Sequence, residues 1–148
     1  TLNSTTNATT LTGNDITFAS TLDGNGGADN TESLTITADG VTTFNGAVGG
    51  TEELATLLIN GGGTTVVDGT ASTFEASTIT VDDDVTLNIS TSFDGDTAVT
   101  FNGTIDSQAS ETNDLTVTSD VITFAGDMGT ATTGELGNFG KLHTTIKI

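Results

Sequence analysis

The chain has 148 residues, enough for one domain, and only 33% of them are hydrophobic, with no Trp, Tyr or Cys. This composition favours many thin β-strands over one large core, and it provides no disulfide framework. Two Lys, no Arg and twenty Asp or Glu give a net charge of −18. Without a cationic patch, nucleic acid and anionic membrane surfaces are excluded as partners. Because no run of 18 apolar residues occurs, we also expect no membrane insertion.

A short alternating phrase that contains Phe occurs four times along the chain. Its Phe residues are Phe18, Phe44, Phe101 and Phe124, separated by steps of 26, 57 and 23 residues. Phe74 lies near the middle of the long step. A second phrase follows each copy, with its first Leu at Leu34, Leu57, Leu115 and, more loosely, Leu142. Self-similarity at a period of roughly 23–30 residues is typical of repeat architectures.

Alternation within each phrase predicts one buried row of side chains. In the first copy it places Ile16 and Phe18 on one side of a strand and Thr on the other. One such row is too thin to form a core, but stacking the units makes it continuous. The sequence therefore predicts an all-β fold, a β-helix (β-solenoid) of about five coils. A β-sandwich fibre subunit with a donated strand is the alternative, since the spacing fits both.

The chain divides into three segments on this reading. Residues 1–13 form an N-terminal arm or a weak first strand, residues 14–139 the β-repeat body, and residues 140–148 a terminal strand. Only 51–58 carries a helical signal, which the glycines at 61–63 end. Five dipeptides are predicted to be turns between strands: Asp39–Gly40, Asn45–Gly46, Asp68–Gly69, Asp94–Gly95 and Asn102–Gly103.

The repeated phrases resemble the Thr/Gly-rich β-strand repeats of large bacterial surface proteins, the filamentous-haemagglutinin-like and autotransporter-type adhesins. Residues 14–63 and 96–130 carry this resemblance best, and 64–95 matches more loosely. The resemblance implies a right-handed β-helix, an extracellular location at the cell surface, and a role in attachment or biofilm. The chain departs from that family in its uneven coil lengths and in lacking a recognisable secretion or anchoring domain.

Clusters of acidic residues at predicted turns are candidate cation sites. Ca²⁺ binds six to eight hard oxygen atoms, which carboxylates and carbonyls at turns supply. Asp82 and Asp84 would point to the same side of a strand, with Asp83 opposite, and Asp94 and Asp96 share the same spacing. We therefore take Asp82, Asp84, Asp94 and Asp96 as candidate ligands. The alternative is that these residues simply favour turns.

Catalysis is not predicted. His143 is the only histidine, so no His-based triad can be assembled. A pair of carboxylates is chemically able to hydrolyse a glycoside, which keeps a polysaccharide-degrading β-helix enzyme as a remote alternative. Such sites usually also contain Arg and aromatic platforms, and this chain has no Arg, Trp or Tyr.

Pairs of threonines indicate a third function, recognition of ice or a glycan. Thr35 and Thr37, Thr78 and Thr80, and Thr116 and Thr118 each place two hydroxyls on one strand face. Uneven coil lengths argue against the regular lattice that ice requires. Asn3, Asn7, Asn88 and Asn102 also lie in Asn-x-Ser/Thr sequons, which matter only if the source glycosylates.

The last eight residues contain every Lys and His of the chain. Lys141, His143 and Lys147 alternate with Leu142, Ile146 and Ile148, which predicts a strand with a basic and an apolar face. Such a strand would either close its own last coil or pair with the acidic edge of another copy. The second arrangement grows head to tail into a filament.

Together these observations predict a non-catalytic, extracellular structural or adhesive β-repeat protein. Its partners would be other copies of itself or adjacent repeats, and matrix or host glycans. A Ca²⁺-stabilised carbohydrate- or ice-binding module is the main alternative.

Overall fold

A computed structural model describes residues 2, 8–25, 31–70 and 73–129 of the chain. These residues form twelve β-strands and no helix. The strands are β1 (Ala8–Gly13), β2 (Ile16–Phe18), β3 (Ser33–Ala38), β4 (Val41–Phe44), β5 (Leu54–Asn60), β6 (Thr64–Val67), β7 (Thr73–Val81), β8 (Asp84–Leu87), β9 (Thr91–Phe101), β10 (Ile105–Ser107), β11 (Leu115–Thr118) and β12 (Val121–Phe124). The first strand, β1, lies in the segment that the sequence gave two readings, an arm or a weak strand.

Every strand pair is parallel, and each strand pairs with strands of the neighbouring coils. One sheet has the order β1-β3-β5-β7-β9-β11 with β12 also on β9, and the other has the order β10-β8-β6-β4-β2. The chain is therefore a β-solenoid of about five turns, as predicted. The β-sandwich alternative is wrong, because a sandwich joins its strands mainly in antiparallel pairs.

The pairing registers divide the solenoid into three faces. Face 1 stacks β1, β3, most of β5, the second halves of β7 and β9, and β12. Face 2 stacks β2, β4, β6, β8 and β10. Face 3 begins with the bridged residues Leu22 and Val48 and continues through the first halves of β7 and β9 to β11. Each coil runs through faces 1, 2 and 3 in that order.

Coil length varies, but the variation is confined to the connections between faces. Ile16 pairs with Thr42, 26 residues later, whereas Thr64 pairs with Asp84, only 20 residues later. The one register shift within paired strands lies between Ala76 and Thr78, where face 3 continues into face 1. The faces therefore remain in register although the coils differ in length.

A ladder of six phenylalanines runs through the interior, one in each successive coil. Pairs in register on the same face are stacked: Phe18 on Phe44, Phe74 on Phe93, and Phe101 on Phe124, with interplanar angles of 7°, 16° and 5°. Where the ladder passes to another face the rings meet edge to face, at 83° between Phe44 and Phe74 and 89° between Phe93 and Phe101. Both geometries are favoured by the ring quadrupole. The ladder thus visits faces 2, 3 and 1, two coils on each.

Three details differ from the sequence predictions. The helical signal at 51–58 is wrong, because Leu54–Asn60 is strand β5, paired on both sides with β3 and β7. The four Phe phrases are not equivalent, since Phe18 and Phe44 lie on face 2 but Phe101 and Phe124 on face 1. Of the five predicted turns, Asp94–Gly95 lies inside β9, while the other four connect strands.

The connection between β5 and β6 needs glycine. Gly61 has a φ of +132° and Gly62 a φ of +82°, values that L-residues with a Cβ rarely adopt. A Cβ at Gly61 would also overlap the backbone of Ala38 in the preceding coil. This corner therefore lies tightly against the coil before it.

Candidate functional site

Asp82 and Asp84, two of the predicted metal ligands, lie at the corner between β7 and β8. Both are exposed. The Oδ1 of Asp82 accepts a hydrogen bond of 2.6 Å from Nδ2 of Asn102, and the Oδ1 of Asp84 accepts one of 2.8 Å from the backbone N–H of Thr104. Both partners belong to the next coil. One oxygen of each carboxylate therefore joins consecutive coils at this corner.

Asp83, between them, points inward and is only 2% exposed. Its Oδ1 accepts a hydrogen bond of 3.1 Å from the backbone N–H of Gly62 in the preceding coil, while its Oδ2 has no hydrogen-bond partner among the described residues. Desolvation by burial, opposed by the bond from Gly62 and reinforced by the charges of Asp82 and Asp84, raises the pKa of Asp83. Asp83 thus anchors the glycine corner at an electrostatic cost. The sequence had placed it opposite its neighbours but had given it no role.

Asp94 and Asp96, the other two predicted ligands, lie elsewhere, in the part of β9 that begins on face 3. They line a shallow cavity of about 90 Å³ together with Glu53 and Glu75. Burial, and then the charges of Asp94 and Asp23, raises the pKa of Glu75. The structure therefore brings Asp94 and Asp96 together and separates this pair from Asp82 and Asp84.

These acidic groups differ from a formed cation centre in their arrangement. In the part of the chain that the structure describes, no three Asp, Glu, His or Cys side chains are placed to hold one metal ion. Ca²⁺ needs six to eight oxygen atoms converging on one point. Calcium binding at Asp94 and Asp96, or at Asp82 and Asp84, stays a prediction for titration to decide.

The threonines of face 1 form a regular column on its outer surface. Strand pairing aligns Thr10, Thr35, Leu58, Thr80, Thr100 and Thr123 across six strands. Parallel neighbours in a sheet are about 4.8 Å apart, so the column has a constant step. Thr116 and Thr118, the third predicted pair, lie instead on β11 of face 3. The unevenness expected to disrupt such an array is confined to the connections.

Face 1 also carries no acid among its outward side chains. These are Ala8, Thr10, Thr12, Ser33, Thr35, Thr37, Thr56, Leu58, Asn60, Thr78, Thr80, Ala98, Thr100, Val121 and Thr123. By contrast, Asp84 and Asp106 lie on face 2 and Glu75 and Asp94 on face 3. Sequence reasoning missed this neutral surface. Its signal was the lack of acids at alternate positions of these strands.

The predicted assembly residues Lys141, Leu142, Ile146, Lys147 and Ile148 lie outside the described residues, as do His143, Asn3 and Asn7. Of the other two sequons, Asn88 is half-buried after β8, and Asn102 is exposed and bound to Asp82. Since the described ranges contain no Lys, Arg or His, their acids form no side-chain ion pairs with one another.

The described residues also include no helix long and apolar enough to cross a membrane. In comparisons with known proteins, no family model, no curated protein and no solved structure matches this chain.

Proposed function

We propose that this chain is a non-catalytic structural or adhesive β-repeat element of a cell surface, exposed to the extracellular medium. The observation that carries the proposal is the continuous phenylalanine ladder, which spans every coil from Phe18 to Phe124. A core of this kind gives each coil the same support and lets the body extend along one axis. Such an extended body suits a role in spanning distance and presenting surface.

The distribution of ionisable groups supports a non-catalytic role. General acid–base chemistry needs groups placed together with pKa values near the working pH. The two carboxyl groups with raised pKa values, Glu75 and Asp83, lie on different faces of the solenoid, and Asp83 already binds the Gly62 backbone. A deep substrate cleft would also interrupt the ladder.

The ladder supports head-to-tail growth as well. Its end members, Phe18 and Phe124, are only partly buried, whereas the four inner rings are at most 1% exposed. The ladder moves from face 2 to face 3 to face 1 over six coils, so its next step returns to face 2, where Phe18 begins. A second copy placed on the last coil would therefore continue the sequence of faces without a break. The basic residues at 141 and 147 would then meet the acidic edge of that copy.

Electron microscopy of the purified full chain tests this proposal. We expect rods that lengthen into filaments at high concentration, and shorter rods from a chain truncated before residue 140. A chain with Lys141→Glu and Lys147→Glu serves as a matched variant of equal length, and it should also assemble less. Unchanged filaments in both variants would refute the role of the terminal strand. Turnover on uronate polymers would refute the non-catalytic assignment.

A carbohydrate- or ice-binding module is the second candidate, favoured by the threonine column of face 1. Hydroxyls at a constant step are suited to a repeating, neutral ligand. Binding on a glycan array, or inhibition of ice recrystallisation, that is lost in Thr80→Asp would establish it. Thr86→Asp on face 2 of the same coil is the control, because Thr86 is also a half-buried strand threonine.

A further inference from the structure

Face 1 is the surface on which two strongly acidic chains can approach each other. The chain carries a net charge of −18, and 18 of its 20 acids lie in the described residues. None of these acids is among the outward side chains of face 1, while faces 2 and 3 both carry them. Contact through face 2 or face 3 would place carboxylates against carboxylates, which is unfavourable.

We propose that face 1 is a lateral interface at which a second copy of this chain packs face to face. The outward residues of face 1 are small or medium in size and uncharged, and Thr dominates them. Two sheets with such faces can pack about 10 Å apart. The column Thr35, Leu58, Thr80 and Thr100 lies at the centre of the face, so the same residues of the two copies would meet near a two-fold axis.

The area of the face sets the strength of the pair. Six strands about 4.8 Å apart, each about 18 Å long, give a surface of roughly 500 Å² per copy. The pair would then bury about 1,000 Å² in total, which is near the lower limit for a specific interface. We therefore infer a reversible dimer that depends on concentration.

Acids at the corners bordering face 1 determine how the pair responds to salt. Asp39 and Asp82 follow its strands, and Asp120 precedes β12. In a face-to-face pair these rim carboxylates of the two copies repel each other across the edge. Screening by added salt weakens this repulsion. Dimer affinity should therefore rise with NaCl concentration, opposite to the behaviour of an interface held by ion pairs.

Sedimentation equilibrium of the full chain over a range of concentrations tests the proposal. We expect a monomer–dimer equilibrium that shifts toward dimer between 0.05 and 0.5 M NaCl, both chosen as about one Debye regime apart. Thr80→Asp should weaken the dimer at least about tenfold, since it places two new charges close together at the centre of the interface. Thr86→Asp, on face 2 of the same coil, should not weaken it, and Thr80→Val should retain it.

Circular dichroism and melting establish that each variant is folded, and Thr100→Asp with Thr43→Asp on face 2 as its control repeats the test in other coils. A wild-type chain that is monomeric at all concentrations, or equal effects of Thr80→Asp and Thr86→Asp, would overturn the interface. The inference goes beyond the proposed structural role, and the two fail separately. Growth beyond two copies that face-1 charges do not change would locate association at the coil ends, leaving the structural role intact.

Discussion

Replacing Phe74 with Leu should measure what the aromatic ladder contributes. Phe74 is fully buried, stacks on Phe93 at a centroid distance of 4.6 Å, and meets Phe44 edge to face at 5.1 Å. Aromatic pairs stabilise by about 0.5–1.5 kcal/mol beyond the burial of their area. Losing two of them should cost about 1–3 kcal/mol of unfolding free energy, while Leu preserves most of the apolar volume.

Phe18 provides the matched control, because it stands at the end of the ladder with Phe44 as its single ring neighbour and is only partly buried. Phe18→Leu should cost about half as much as Phe74→Leu. Urea unfolding followed by circular dichroism gives both values, provided that the m-value is unchanged. A double-mutant cycle on Phe74 and Phe93 should yield a coupling of about 1 kcal/mol. Equal losses at Phe18 and Phe74, or a coupling near zero, would refute the ladder as a stabilising element.

Three further predictions concern polar groups. Thr42 and Thr65 pair in register with their Oγ1 atoms buried and unpartnered among the described residues, so each change to Val should raise the unfolding free energy by about 1 kcal/mol, whereas a decrease in urea midpoint would contradict this. The pKa of Asp83 lies above its ordinary value of 3.8, so the unfolded chain loses this proton first and stability falls as pH rises through the window between the two values. Asp83→Asn should accordingly raise the melting temperature at pH 7 but not at pH 3, and an equal effect at both would be inconsistent with this reasoning. Millimolar CaCl₂ should raise the melting temperature more than NaCl of equal ionic strength, and Asp94→Asn with Asp96→Asn should remove the difference; identical shifts in both salts would leave these acids without a calcium role.

The stacked architecture could be predicted from the sequence because its signal is repeated. Alternation in each phrase identifies the inward residues, and the recurrence of Phe18 and Phe44 at a 26-residue step identifies neighbouring coils. The phase of the later phrases could not be predicted in this way. Connections shorten to give a 20-residue step between β6 and β8, which moves Phe101 and Phe124 onto face 1. Sequence spacing does not show where along a coil residues have been lost.

Local signals failed where pairing with neighbouring coils decided the outcome. The segment at 51–58 has residues that favour a helix, but Leu57 and Ile59 are buried in a strand between β3 and β7. Tertiary context commonly overrides weak helical propensity. Asp83 was missed as a structural residue for a similar reason, because its partner Gly62 lies 21 residues away in the preceding coil. The neutral surface of face 1 became visible only when the registers were known.

The central claim is that successive coils stack in parallel register, and one distance tests it most directly. Thr17, Thr43, Val66, Thr86 and Asp106 align on face 2 across five strands. Since the chain lacks Cys, spin labels can be attached at Thr17→Cys and Asp106→Cys alone. Four steps of about 4.8 Å predict a backbone separation of about 19 Å, and therefore a narrow distribution near 2 nm in pulsed electron resonance. A broad distribution centred near about 50 Å, as in a flexible chain of this length, would contradict the stacked solenoid.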